Sequence, residues 1–273
     1  MMIRKGGVMA DSATPVVFIH GLWLSASSWQ PWVDLFRENG YAPVAPEWPG
    51  TPESPEEARA HPEKIPAGIA EVAAHFKKVI DGLPSKPIVI GHSFGGLITQ
   101  NLLGRDLAVA GVAIDPAPIK GVLSLPPSAL RVASVALRNP ANRNRAVALT
   151  ATEFRYGFGN ELSGKESEEL YQKWAIPSPG RVLFEAALAN FTRNSPAKVD
   201  TRNNTRGPLL VTAAQKDHTV PPAVSHATVK LYRHSSATTD FQQFAGRGHS
   251  LTVDSGWREV ADAVLDWLKR HSL

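Results

Sequence analysis

Residues Gly91-His92-Ser93-Phe94-Gly95-Gly96 set one serine between two glycines in a G-x-S-x-G pattern. A serine hydroxyl in that setting is a candidate nucleophile for attack on a carbonyl carbon. The bare pattern arises often by chance, so its surroundings decide its meaning. Lys86–Ile90 ahead of it is an apolar run that reads as a buried strand, and Phe94–Leu103 behind it reads as a helix. A strand that turns sharply into a helix strains the backbone of the serine between them. Small residues are then needed at Gly91 and Gly95, where side chains would meet the neighbouring strand and helix. The start of the helix also aims backbone N–H groups at the reacting oxygen. Nucleotide binding does not fit: G-x-G-x-x-G is absent there, and so is Gly-Lys-Ser/Thr.

With strand, serine turn and helix in this order, the chain resembles the α/β-hydrolase-fold serine hydrolases from about Val16 to Trp267. In that family the nucleophile is followed in the chain by an acid and then a histidine. The resemblance implies that His249, in Gly246-Arg247-Gly248-His249-Ser250, is the general base. The acid it implies is Asp217, which follows the run Leu209–Ala213 and precedes Val220-Pro221. Asp115 is the alternative acid, since some members take theirs from the strand matching Val109–Ile114. The oxyanion donors implied are the N–H of Phe94 and that of Leu22, in the loop Ile19-His20-Gly21-Leu22-Trp23. His20 is read as holding that loop by hydrogen bonds. Trp23 and His92 are candidate pocket residues, Trp23 equally a core residue. His218 reads as a surface residue and Asp254 as a cap for the final helix.

The elements that position these groups are short apolar runs alternating with helical patterns. Strands are expected at Pro15–Ile19, Tyr41–Ala45, Lys86–Ile90, Val109–Ile114, Leu209–Ala213 and, more exposed, Thr239–Phe244. Ile69–Ile80 and Trp257–Leu268 each place their apolar residues on one helical stripe. This alternation predicts the α/β class, with a mostly parallel central sheet and helices on both faces. Residues 16–117 and 207–273 are expected to form the core. Residues 118–206 carry helical spacing at Leu130–Leu137, Leu170–Trp174 and Val182–Phe191 and no clear strand. They are expected to be a helical lid inserted over Ser93. Between Ile119 and Thr152 this segment has Lys120, Arg131, Arg138, Arg143 and Arg145 and no acid. That is either a solvated face or an attraction for anionic substrates or a membrane surface. Pro46–Ser54 keeps turn chemistry but lacks the Arg and second Gly that many relatives carry there, and the segment on to Pro66 reads as an exposed loop.

Composition narrows the classes further. The 273 residues, 43% hydrophobic and 20% charged, are enough for one large domain or two small ones with a sizeable core. The absence of cysteine excludes a disulfide framework, a thiol nucleophile, Cys-ligated zinc and Fe–S clusters. A net charge of +4 without a lysine-rich run gives no support for a nucleic-acid partner. No run is long and apolar enough to be a spanning helix. None of the nine histidines lies three or four residues from another and HExxH is missing, so neither metal nor cofactor is expected. Residues 1–15 read as a flexible leader without a secretory core, Met9 offers an alternative start, and a cytoplasmic location is expected. The expected activity is cofactor-free cleavage of a small carboxylic ester. The same machinery also serves lactonases, perhydrolases resembling cofactor-free haloperoxidases, acyltransferases and hydroxynitrile lyases. A non-catalytic module that binds a ligand is the alternative from another class. The oligomeric state is not specified by these patterns.

Overall fold

Pro15–Ile19 is a run of five residues, all buried, that forms strand β1 of a computed structural model describing residues 13–64 and 67–273. The first twelve residues of the expected leader, Met9 among them, lie outside the described residues. Helix α1 (Gln30–Glu38) follows, with Pro31 in its first turn, where a missing N–H costs no helical bond. Next come β2 (Ala42–Val44), α2 (Pro55–Ala60), α3 (Ile69–Asp81), β3 (Ile88–His92), α4 (Phe94–Gly104) and β4 (Ala110–Ile114). The segment 118–206 holds α5 (Pro127–Leu137), β5 (Ala146–Val147), α6 (Ala151–Gly157), α7 (Gly164–Trp174), β6 (Ser178–Pro179) and α8 (Gly180–Ala187). The chain closes with β7 (Leu209–Ala214), α9 (Pro222–Leu231), β8 (Thr239–Phe244) and α10 (Trp257–Arg270).

Six strands form one sheet in the order β2-β1-β3-β4-β7-β8, and every neighbouring pair is parallel. Side chains alternate across each strand, so β1 sends Val17 and Ile19 to one core and Val16 and Phe18 to the other. The first core is closed by α3 and α4, through Val72, Phe76, Leu97 and Leu102. The second is closed by α1 and α10, through Trp32, Phe36, Val264 and Trp267. Each fully buried aliphatic or aromatic side chain contributes about 1.5–3 kcal/mol relative to exposure, which fixes the register of the strand ends carrying the site.

Three local expectations are corrected. Residues 55–60 are helical, because the Ser54 hydroxyl accepts the Glu57 N–H at 3.1 Å and nucleates a turn. The insertion is not free of strand: β5 and β6 pair antiparallel over two residues each, too short to leave an alternating pattern. The helix expected to run to Phe191 stops at Ala187. Among the described residues no helix is long and apolar enough to cross a membrane.

Candidate active site

The turn between β3 and α4 holds Ser93 at φ 57° and ψ −120°, a region costly for a residue with a side chain. Its backbone is tied on both sides. The Ser93 N–H donates to the Ile114 carbonyl at 2.9 Å, and its own carbonyl accepts from Ala117 at 2.9 Å and Gly96 at 2.9 Å. The flanking glycines are required by space. A Cβ on Gly91 would lie 2.2 Å from the Gly95 oxygen, and one on Gly95 would lie 2.0 Å from the Ile19 oxygen. Phe94 opens α4, and the first N–H groups of a helix have no carbonyl one turn earlier to satisfy them.

The loop after β1 approaches from the other side. A Cβ on Gly21 would sit 2.7 Å from the Ser93 Cβ, so the loop backbone passes directly against Ser93. His20 braces this loop: its Nδ1 is 2.8 Å from the Gly21 oxygen, and its ring stacks on Trp48 at 5.4 Å. Trp48 returns an indole N–H to the His20 carbonyl at 3.1 Å, and Glu47 accepts from the Ala26 N–H at 2.7 Å. Trp23, at φ 64°, donates its backbone N–H to the Ser178 hydroxyl at 2.6 Å. That donor is therefore occupied.

His249 lies in the loop between β8 and α10. Its Nδ1 is 2.6 Å from the Asp217 carboxylate, and both side chains are fully buried. A neutral imidazole meets an ionised carboxylate through N–H, so Nδ1 carries the proton and Nε2 keeps its lone pair. Nε2 is buried without a hydrogen-bond partner. Asp217 follows β7 and is fixed by the Thr219 N–H at 2.6 Å and the Val220 N–H at 2.8 Å. The His249 ring is packed by Phe158 edge-on at 4.8 Å and by His92 at 4.5 Å. The loop itself is clamped by Asp254, which accepts from the Ser250 hydroxyl at 2.8 Å, from the Gly256 N–H at 2.9 Å and from Arg247. Asp254 is thus buried beneath the histidine loop, and α10 begins from Gly256 instead.

Asp115, the alternative acid, is fully buried at the end of β4 but does not bond His249. It accepts from the Thr212 hydroxyl and the Ala214 N–H, each at 3.0 Å. Burial, and then the charge of Asp217, push its pKa well above the usual carboxylate range. His92 points away from solvent, with both ring nitrogens buried and unpartnered. Burial and the neighbouring His249 push its pKa well below the usual imidazole range, which keeps it neutral. His218 is partly buried, with its Nδ1 2.9 Å from the Tyr156 carbonyl. Among the described residues, Asp115, Asp217 and His249 bring donor atoms within 4.8 Å of one another, close enough to surround a cation. Their oxygens, however, already accept N–H and O–H bonds, and Nδ1 already faces Asp217. The lone pairs a metal would need are largely committed.

A cavity of about 220 Å³ opens at Ser93. Trp23, Phe94 and Thr219 line it from the core side, and Val122, Leu125 and Leu130 line it from the insertion. Among the described residues, no charged side chain takes part in its wall. Trp23 both lines this cavity and packs in the buried core, whereas His92 is not on the wall and packs against the His249 ring. The five basic residues between Ile119 and Thr152 are also outside the wall. Lys120 binds the Thr192 and Arg193 carbonyls at 2.6 and 3.1 Å, and Arg131 lies over the Tyr156 ring at 3.8 Å. Four apolar residues on the cavity wall are exposed: Leu123 at 76%, Leu125 at 70%, Leu130 at 49% and Phe191 at 87%.

Sequence reasoning missed Glu47, Trp48, Phe158 and Ser178 as supports of the site. Their contacts join positions far apart in the chain, and no local pattern signals them.

The chain belongs to the alpha/beta hydrolase family, whose model matches residues 16–263. It resembles a monoacylglycerol lipase from Paleococcus ferrophilus, with 20% identity over 95% of this chain and 96% of the other, at a TM-score of 0.64. A thermophilic esterase from Thermogutta terrifontis shares 21% identity over 95% and 90% of the two chains, with a TM-score of 0.67. An extracellular α/β-hydrolase from a Paenibacillus species shares 18% identity over 93% and 98%, also with a TM-score of 0.67. At these identities the likeness is one of fold. No curated protein matches the chain in sequence.

Proposed function

We propose that this protein is a serine hydrolase that cleaves neutral, apolar carboxylic esters through an acyl-enzyme. The observation that carries the reading is the His249 imidazole. Its Nδ1 is anchored to Asp217 at 2.6 Å, and its buried Nε2 is left without a partner, in a molecule whose elbow serine opens onto an apolar cavity. In the proposed reaction Nε2 takes the Ser93 hydroxyl proton as Oγ bonds to the ester carbonyl carbon. The negative charge that develops on the carbonyl oxygen is met by the Phe94 and Leu22 N–H groups. Collapse breaks the bond to the alcohol oxygen, which leaves with the proton from His249. A water then gives its proton to Nε2 and attacks the acyl carbon, and Ser93 recovers its proton as the acid departs. Asp217 holds the tautomer and stabilises the imidazolium throughout.

Residues 118–206 serve in this reading as the lid that selects the substrate. The support is that this segment supplies the outer wall of the cavity and its exposed apolar rim. A wall without charge fits an uncharged acyl or alcohol group and gives an anionic one no counter-ion. The test is hydrolysis of p-nitrophenyl esters from acetate to long acyl chains, by wild type and Ser93→Ala side by side. Turnover should fall by roughly 10⁴–10⁶ in the variant, on the scale of losing a triad member. Equal turnover by a purified Ser93→Ala protein would remove the nucleophile and the reading with it.

A further inference from the structure

Two carboxyl groups share one buried site beside His249. Asp115 and Asp217 are both buried, and each has an oxygen within 4.8 Å of the other and of an imidazole nitrogen. Two like charges at that range in a buried pocket cannot both persist, so one carboxyl keeps a proton. Their hydrogen-bond partners decide which. Asp217 receives three N–H donors, from Thr219 at 2.6 Å, Val220 at 2.8 Å and the His249 ring at 2.6 Å. Asp115 receives two longer bonds, each of 3.0 Å, from Thr212 and Ala214. More and shorter donors stabilise the anion on Asp217. We infer that Asp115 is a neutral carboxylic acid that donates its proton to Asp217, and that it is a positioning residue for the His249 base. This inference rests on the triad reading given above.

The arrangement has a chemical purpose. A second anion beside an imidazole favours imidazolium, which cannot accept the serine proton. A neutral Asp115 adds no such charge, while its O–H gives Asp217 a fourth donor and fixes the carboxylate plane. The titratable groups packed around the pair are consistent with this. His249, from the loop before α10, bonds Asp217, and His92, from β3, packs against the His249 ring. The direction of the Asp115 pKa, raised by burial and then by the Asp217 charge, agrees with the hydrogen-bond count.

The test has two independent readouts. In carbon-13 NMR titration of the labelled wild-type protein, the Asp115 side-chain carboxyl should keep its protonated shift at neutral pH. In pH profiles of ester hydrolysis, Asp115→Asn retains a donor toward Asp217. It should lower kcat/KM by no more than about fivefold and leave the position of the acid limb unmoved. Asp115→Ala removes that donor and strands the Thr212 hydroxyl and Ala214 N–H, so it should lose about 10- to 100-fold. An ionised Asp115 carboxyl at neutral pH would overturn the inference. So would an acid limb displaced to lower pH in Asp115→Asn, the mark of a lost negative charge. Activity that survives in Ser93→Ala would instead defeat the triad reading, while the NMR result would still report where the proton resides.

Discussion

Gly95→Ala sets two physical effects against each other. Gly95 is the second residue of α4, and helix propensity alone favours alanine there by about 1 kcal/mol. The tertiary contact says the opposite. The new Cβ would stand 2.0 Å from the Ile19 oxygen and 2.8 Å from the His20 oxygen. Carbon–oxygen contacts settle at about 3.3 Å or more, so the end of β1 and the start of α4 must part by roughly 1.3 Å. These are the segments that carry Leu22 on one side and Ser93 with Phe94 on the other. The proposed oxyanion donors would then separate, and a displacement near 1 Å costs about 100-fold in rate. Overpacking should also lower stability by about 1–3 kcal/mol net of the helical gain. The assay is kcat on a short-chain p-nitrophenyl ester, with urea unfolding of the same preparations. Gly82→Ala is the control. Gly82 ends α3 at φ −87°, its Cβ would meet its nearest atom at 3.5 Å, and it should gain about 0.4–1 kcal/mol with unaltered rate. A Gly95→Ala protein as stable and as fast as wild type would refute the steric argument and the placement of the two loops.

Asp217→Asn should lose about 10⁴ in kcat. The Thr219 and Val220 N–H groups will keep the amide oxygen, so its NH₂ will face Nδ1 and force the proton onto Nε2; a smaller loss than in Asp115→Asn would move the acid to Asp115. Leu125→Asp, at an exposed rim position 70% open to solvent, should raise KM for long-chain esters by about tenfold and leave acetate unaffected. Equal effects across the chain-length series would show that the rim does not hold the acyl chain.

The parallel strands were legible because buried strands are continuous apolar runs: Val16–Ile19, Ile88–Ile90 and Leu209–Ala214 need no partner to be recognised. The elbow was legible because its chemistry is local, a strained serine needing glycines beside it. The short helix at Pro55–Ala60 also had a local signal, Ser54 three residues before Glu57, hidden by prolines that read as loop. The histidine environment was not legible. Phe158 reaches His249 from just past the end of α6, and Ser178 reaches Trp23 across 155 residues. The proximity of Asp115 to Asp217 depends on β4 and β7 being sheet neighbours, which chain order does not reveal. Asp254 misled for a related reason, since its acceptors turn inward to Ser250 and Arg247, although its place near α10 fits a cap.

The long segment between β4 and β7 departs from one strand and rejoins the very next one in the sheet. Its two ends are therefore anchored side by side by the ladder itself, whatever happens between them. Beyond Ala117, whose N–H holds the Ser93 carbonyl, lengthening or shortening that excursion leaves the pairing of the six strands as it is. The molecule is in effect a variable head on a fixed chassis, joined where Phe158 and Ser178 brace His249 and Trp23. In the proposed reading, variation in the head away from those braces redirects what is accepted.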